Sequence, residues 1–127
     1  SPTAFPSLRK LEAEVVAMMV FVLGADGDEV GTMTSGGTES ILLAVKAYRD
    51  RARVHRPEVT RPEMLVPESA HPAFLKAAHY FDVKAVRIAL DDQFRADVRA
   101  MAKLCNDQTI CIIASAPSFP QGVVDPV

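Results

Sequence analysis

Short runs of strand-forming residues alternate with helical stretches along this chain, and that alternation constrains the fold most. The runs are Met64–Val66, Lys84–Leu90 and Thr109–Ala114, with helices predicted to begin at Pro72 and Asp97 between them. Strands joined through helices run parallel, because each crossover returns the chain to the same edge of the sheet. The sequence therefore predicts an α/β fold with a partial, mainly parallel sheet and flanking helices. The last run is almost wholly apolar and predicts a central strand buried on both faces.

The first part of the chain predicts two longer helices around a further strand. A helix of about four turns is predicted for residues 7–23, with Ser7 as its N-cap, and a second helix for Thr38–Val54. A short strand is predicted between them at Val30–Thr34. The predicted order is then α-β-α-β-α-β-α-β. With 127 residues and 49% hydrophobic content, the chain can form one domain or part of one.

Charge and composition favour a small-molecule ligand over a polymer. The formal net charge of −2 comes from interleaved acids and bases, which indicates neither a nucleic-acid partner nor an anionic membrane surface. Val15–Leu23 is too short for a transmembrane segment and lacks the features of a signal peptide. Cys105 and Cys111 lack zinc-site spacing, so both are predicted to be reduced packing thiols and no metal site is expected. We expect a soluble, cytoplasmic chain.

The sequence Thr-Ser-Gly-Gly-Thr-Glu-Ser, residues 34–40, lies where the predicted strand ends and the second helix begins. A helix N-terminus favours an anion, glycine lets the backbone approach a ligand, and the hydroxyls of Ser35, Thr38 and Ser40 can donate to phosphate oxygens. The spacing matches neither a Walker A loop nor a dinucleotide fingerprint. A phosphate-binding turn is therefore predicted, and an ordinary helix cap with a tight turn explains the same residues equally well.

At this turn the chain resembles the fold-type I pyridoxal-phosphate enzymes of the group II decarboxylase branch, and most closely the sphingosine-1-phosphate lyases. The Thr-Ser-Gly-Gly-Thr-Glu stretch is shared with amino-acid decarboxylases, and the flanking segments narrow the resemblance to the lyases. Those segments, in the same order as in the lyases, are Phe5–Glu14, Lys46–Asp50, Ser69–His71 and Phe119–Pro126. The resemblance covers nearly the whole chain and implies that residues 1–127 are part of one cofactor-binding domain.

The resemblance also implies which residues bind the cofactor, pyridoxal 5'-phosphate. Gly36, Gly37 and Thr38 would hold its phosphate, and His71 would stack on its pyridine ring. A loop that follows a strand of a parallel sheet is where such sheets bind ligands. The ordinary alternative is that His71 is a turn residue before the helix-starting Pro72.

The reaction that the resemblance implies is retro-aldol cleavage of a phosphorylated long-chain amine, a sphingoid base, to a fatty aldehyde and phosphoethanolamine. The cofactor would serve as the electron sink. The family resemblance further implies a homodimer as the intact enzyme.

The family's Schiff-base lysine and the aspartate that pairs with the pyridine nitrogen lie C-terminal to the segment that resembles Phe119–Pro126. No catalytic residue is therefore expected in this chain, and Asp125 is not expected to be the pyridine partner. Gln121 stands where relatives often have histidine. The chain has neither an initiator Met nor a terminating element, so a fragment is expected, and without the Schiff-base lysine it is expected to be inactive. A partial parallel sheet leaves an exposed strand edge and uncovered apolar faces, so we expect the isolated piece to be prone to aggregation. Two alternatives remain open: a fragment of an amino-acid decarboxylase, or a non-catalytic phosphate-binding or interaction module.

Overall fold

The computed structural model describes residues 4–127, which divide into two compact units, one ending at Gly36 and one spanning Gly37–Val127. In the N-terminal unit, helix α1 spans Pro6–Val22. Pro6 starts the helix because its ring presets φ and its missing N–H is not needed in the first turn. The N-cap is Phe5, without a capping side-chain hydrogen bond, so the prediction of Ser7 as N-cap is wrong.

The strand predicted at Val30–Thr34 does not form. These residues are irregular and pair with no strand in the described part of the chain. A strand needs a neighbour that takes its backbone hydrogen bonds, and burial of one face usually drives that pairing. Val30 is almost fully exposed, so no such burial stabilises this stretch.

The C-terminal unit contains the other elements. They are α2 (Gly37–His55), β1 (Glu63–Pro67), α3 (Ala73–Phe81), β2 (Lys84–Ile88), α4 (Val98–Leu104) and β3 (Thr109–Ile112). The three strands form a parallel sheet in the order β2-β1-β3. The predicted fold class, an α/β chain with a partial parallel sheet and flanking helices, is confirmed.

The central strand is β1, in which Met64, Leu65 and Val66 are almost completely buried. The prediction that Thr109–Ala114 forms a central strand buried on both faces is wrong. In the described sheet β3 is an outer strand, and Ile112 is 52% exposed. Both runs are apolar, and only the direction in which each crossover places the next strand decides which run lies in the middle.

Helices α2 and α3 pack together, and α2 also contacts the sheet. Between them lies a core of Val45, Met64, Val66, Ala77, Val83 and Cys111. Burial in this core raises the pKa of the Cys111 thiol to about 11. Cys105 is exposed, so its prediction as a packing thiol is wrong, and both cysteines are free.

Contacts at the amino edge of the sheet set the direction of α2. Just after α2, the Arg56 guanidinium donates hydrogen bonds to the carbonyl oxygens of Thr109, at 3.0 Å, and Asp107, at 2.6 Å. The C-terminus of α2 therefore lies where β3 begins. Because α2 also packs on the sheet through the buried Val45, its N-terminus points toward the carboxyl edge.

Glu63, the first residue of β1, also lies at the amino edge. It accepts hydrogen bonds from Lys84 Nζ, at 2.7 Å, and Asn106 Nδ2, at 2.9 Å, and these hold the pKa of its carboxyl below the ordinary value. The amino edge of the sheet is thus held by hydrogen bonds and an ion pair between charged and polar side chains. Among residues 4–127, no helix combines the length and apolar character needed to cross a bilayer.

Candidate functional site

Three of the four residues predicted to bind the cofactor lie on elements that meet at the carboxyl edge of the sheet. His71 belongs to the loop after β1, whereas Gly37 and Thr38 begin α2, whose N-terminus points toward the same edge. Gly36, the fourth, is the last residue of the N-terminal unit, directly before α2. In parallel sheets this edge is where ligands bind, because the strands end there and the helices begin there.

The start of α2 has the features of an anion site. The first turn of any helix carries N–H groups that the helix itself cannot satisfy, and the dipole of a helix as long as this one, with 19 residues, adds positive potential there. Gly37 and Thr38 are both exposed. An anion therefore has access to the first turn of α2 on the side of these two residues.

No contact among residues 4–127 explains the two glycines of the turn. Neither Gly36 nor Gly37 has a left-handed φ, and a Cβ built on either would meet no atom within 4 Å. Glycine in such a position costs backbone entropy without relieving strain or a steric clash within the chain. What both glycines do supply is bare backbone, which a ligand can approach closely.

His71 is exposed, and one of its ring nitrogens is engaged. Its Nδ1 accepts a hydrogen bond from the Ala73 N–H at 3.1 Å, at the start of α3. In the neutral ring the proton then resides on Nε2. The ordinary role, a turn residue that caps the next helix, is therefore present. The same bond orients the imidazole while the side chain stays open to solvent, so capping is compatible with stacking.

Asp125 was missed as a contributor by sequence reasoning, which only declined to pair it with the pyridine nitrogen. Its side chain is buried, with 2% exposed. Oδ1 accepts from the Ala96 N–H and Oδ2 from the Ser115 N–H, both at 2.8 Å. The signal in the sequence was an acidic residue placed directly after two valines in a segment with few other charges.

Two serine hydroxyls are buried in the described part of the chain. Ser69 Oγ and Ser118 Oγ are sealed from solvent and have no hydrogen-bond partner. By contrast, Gly37 and Thr38 are exposed at the helix start, and their chemistry fits a phosphate group.

A cavity lies elsewhere, in the N-terminal unit. It has a volume of about 530 Å³ and lies between α1 and residues 27–33, with Arg9, Glu12 and Glu29 among its lining side chains. None of the predicted cofactor-binding residues lines it. This cavity is therefore separate from the residues predicted to bind the cofactor.

Known proteins similar to this chain include a lyase and a decarboxylase. The chain is 51% identical to sphingosine-1-phosphate lyase 1 of Rattus norvegicus over 129 residues, which covers 99% of this chain and 22% of the relative. It is 39% identical to L-aspartate decarboxylase of Thermococcus kodakarensis over 94% of this chain and 29% of the relative. No family model matches the chain.

Among solved structures, the sphingosine-1-phosphate lyase of Burkholderia pseudomallei superimposes with a TM-score of 0.88 at 37% identity. The superposition covers 98% of this chain and 30% of that structure. The chain thus spans less than a third of the length of these proteins, and it matches them over nearly all of its own length.

Proposed function

We propose that this chain, a homologue of the sphingosine-1-phosphate lyases over nearly its whole length, is part of the cofactor-binding domain of a pyridoxal-phosphate-dependent lyase. That enzyme would cleave phosphorylated sphingoid bases to a fatty aldehyde and phosphoethanolamine. The observation that carries the proposal is the 51% identity to the rat lyase across 99% of this chain. The motif resemblance to these lyases is confirmed by that match. Because the chain covers 22% of the rat lyase, the activity is proposed for the whole protein.

The first turn of α2 would bind the cofactor phosphate. Backbone N–H groups at Gly36 and Gly37 would approach the phosphate oxygens, and the Thr38 hydroxyl would donate to one of them. The bare backbone of the two glycines supports this assignment, since no contact in the described part of the chain requires glycine there. The dipole of α2 would add attraction for the phosphate charge.

His71 would cover one face of the pyridine ring. Its bond to the Ala73 N–H would hold the imidazole in one orientation, so the ring would not lose that freedom on binding. When bound, the cofactor supplies an electron sink for cleavage of a carbon–carbon bond. Residues of this chain would therefore bind and orient the cofactor, and no lysine among them is assigned a catalytic role.

The intact enzyme is proposed to be a cytoplasmic homodimer that acts on a phosphorylated long-chain amine. Helix α1 has no buried residue and exposes large apolar side chains, among them Leu11, Met18 and Phe21, which the remainder of the full-length protein or a second subunit would cover. Soluble proteins rarely leave such a surface uncovered.

The first test is binding of pyridoxal phosphate to the full-length protein and to a Gly37→Ala variant. Alanine favours a helix and meets no atom at this position, so the variant should unfold no more easily than wild type. Its added methyl group would obstruct a hydrogen bond to the phosphate, and a bond to a charged group contributes about 1.5–3 kcal/mol, so the dissociation constant should rise about tenfold or more. Absorbance titration measures the affinity, and thermal unfolding without cofactor measures the stability.

A matched threonine pair controls this experiment. Thr38→Ala should weaken cofactor binding, whereas Thr60→Ala, in an exposed loop before β1 at the amino edge, should not. Equal affinities for wild type, Gly37→Ala and Thr38→Ala would rule out the turn as the phosphate site. A full-length protein that binds no pyridoxal phosphate would instead support a non-catalytic module.

Two substitutions separate the capping and stacking roles of His71. In His71→Asn the side-chain oxygen can still accept from the Ala73 N–H, but the aromatic face is lost; in His71→Phe the face remains and the acceptor is lost. We expect His71→Asn to weaken pyridoxal phosphate binding more than His71→Phe, and His71→Phe to lower thermal stability more. The reverse order would assign His71 to helix capping alone.

The second candidate function is amino-acid decarboxylation, favoured by the 39% identity to an L-aspartate decarboxylase. A product assay on the full-length protein distinguishes the two. Release of a fatty aldehyde from a phosphorylated sphingoid base supports the lyase, and release of carbon dioxide from aspartate supports the decarboxylase.

A further inference from the structure

Asp125 joins segments that leave both outer strands of the sheet. Ala96, which donates to Oδ1, lies in the segment after β2, and Ser115, which donates to Oδ2, lies in the segment after β3. The backbone N–H of Asp125 in turn donates to the Ser115 carbonyl at 2.9 Å. One side chain thus ties two otherwise separate loops at the carboxyl edge.

Hydrogen bonds close the loop from Ser115 to Asp125 at two levels, one at its two ends and one nearer its tip. At the ends, Ser115 and Asp125 exchange a pair of hydrogen bonds. Nearer the tip, the Ser118 N–H donates to the Val123 carbonyl at 2.8 Å, and the Gly122 N–H to the Ser118 carbonyl at 2.9 Å. Hydrogen bonds at two levels leave the loop little freedom to shift. Without the bonds between Ser115 and Asp125, only the turn between Ser118 and Val123 would remain closed.

The buried carboxylate is satisfied by backbone groups rather than by a cation. Asp125 takes part in none of the ion pairs found among residues 4–127. A buried charge is costly unless hydrogen bonds compensate it, and charge-assisted bonds from N–H groups are among the stronger ones. The two accepted bonds therefore both stabilise Asp125 and restrain the backbone at Ala96 and Ser115.

The restrained backbone lies next to the loop that carries His71. β3 and β1 are neighbouring parallel strands, and their pairing continues beyond β3, where the Ile113 N–H donates to the Leu65 carbonyl at 2.9 Å. Ser115 is two residues further along, at the same edge where β1 leads into the His71 loop.

We propose that Asp125 is a positioning residue of the cofactor site, which holds the loop after β3 against the carboxyl edge beside the His71 loop. The inference rests on the proposed function, because it assumes that the cofactor binds at this edge. Asp125 itself touches no ligand, since its side chain is sealed from solvent.

The test is Asp125→Asn in the full-length protein. Asparagine keeps the shape but has one acceptor oxygen, so its NH2 group would face one of the two backbone N–H donors. Outer-shell groups that orient metal ligands typically contribute about tenfold or more to affinity, and we expect a comparable loss of affinity for pyridoxal phosphate. The visible circular dichroism of the bound cofactor should also change, because that signal reports how the cofactor is held.

Asp91→Asn is the matched control. The Asp91 carboxylate also accepts backbone N–H bonds, from Gln93 and Arg95, both at 2.9 Å, but these contacts stay within the loop after β2. Asp91→Asn should lower the thermal stability of the protein without changing its affinity for pyridoxal phosphate or the circular dichroism of the bound cofactor. If Asp125→Asn likewise changes only stability, the positioning role is overturned while the proposed function stands. If the wild type binds no pyridoxal phosphate, the proposed function fails and the inference fails with it.

Hydrogen exchange of the wild-type protein keeps the test independent of how well the variant folds. The amides of Ala96 and Ser115 should exchange slowly, because both donate to a buried carboxylate. Exchange of these amides at the rate of exposed loops would overturn the proposal without any variant.

Discussion

The two units contain similar apolar residues but use them differently. In the C-terminal unit, Met64 and Leu65 are completely buried between packed elements. In the N-terminal unit, α1 has no buried residue, and Met18 and Phe21 are 63% and 85% exposed. The difference shows that hydrophobic content does not make a core by itself. A sheet with helices packed on it encloses its side chains, whereas a helix followed by irregular chain does not.

The largest expected effect tests this comparison with one substitution in each unit. Met64→Ala should lower the free energy of unfolding of the chain by about 2–5 kcal/mol, because it leaves a cavity in the core. Met18→Ala should change it by less than about 0.5 kcal/mol, because that side chain is mostly exposed. The chain has no Trp, so urea unfolding is followed by far-ultraviolet circular dichroism. If both variants lost the same free energy of unfolding, Met18 would be packed in solution, and the two units would not differ in the burial of their apolar side chains.

A smaller change in the free energy of unfolding is expected at the helix starts, where one unit has a side-chain N-cap and the other has none. The Asp97 carboxylate caps α4 by accepting from the Arg99 N–H, at 2.9 Å, and the Ala100 N–H, at 3.0 Å. Asp97→Ala should therefore lower the free energy of unfolding by about 1 kcal/mol. Ser7→Ala should have a much smaller effect, because α1 starts at Pro6 without a side-chain cap. The same urea titration measures both. A comparable loss for Ser7→Ala would show that the Ser7 hydroxyl caps α1 after all.

Local patterns predicted most elements of the C-terminal unit. The prediction of a helix over Thr38–Val54 differs by one residue at each end from Gly37–His55, and the strand Met64–Val66 is extended to Glu63–Pro67. Asp97 opens α4 as predicted, because its side chain reaches the first N–H groups of the helix. These elements could be predicted because their periodicity and capping depend on neighbours in the sequence.

The wrong predictions share a dependence on distant residues. Val30–Thr34 has strand-forming side chains but no partner strand, and Thr109–Ala114 is apolar enough for the centre of a sheet yet β3 is an outer strand. Cys105 was expected to pack and is exposed. Pairing, strand order and burial are properties of the assembled sheet, so no local window contains them.

The candidate site divides in the same way. The turn with Gly36, Gly37 and Thr38 could be selected because glycines and hydroxyls stand at a predicted helix start, whereas His71 was selected through the resemblance to the lyases. The role of all four in binding the cofactor remains a prediction. Asp125 stands out in the sequence only as an acidic residue after two valines, and its importance comes from two N–H groups 29 and 10 residues away in the chain.

The sequence by itself determined the alternation of helices and parallel strands, the start of the second helix to within one residue and the motifs shared with the lyases. These follow from the chemistry of adjacent residues, which acts over a few positions along the chain. Only the tertiary structure decided that β1 is central, that α1 stays uncovered among the described residues and that Asp125 ties the loops after β2 and β3. Each of these depends on which groups that are distant in the sequence come together in space, because only then do their hydrogen bonds form and their side chains become buried.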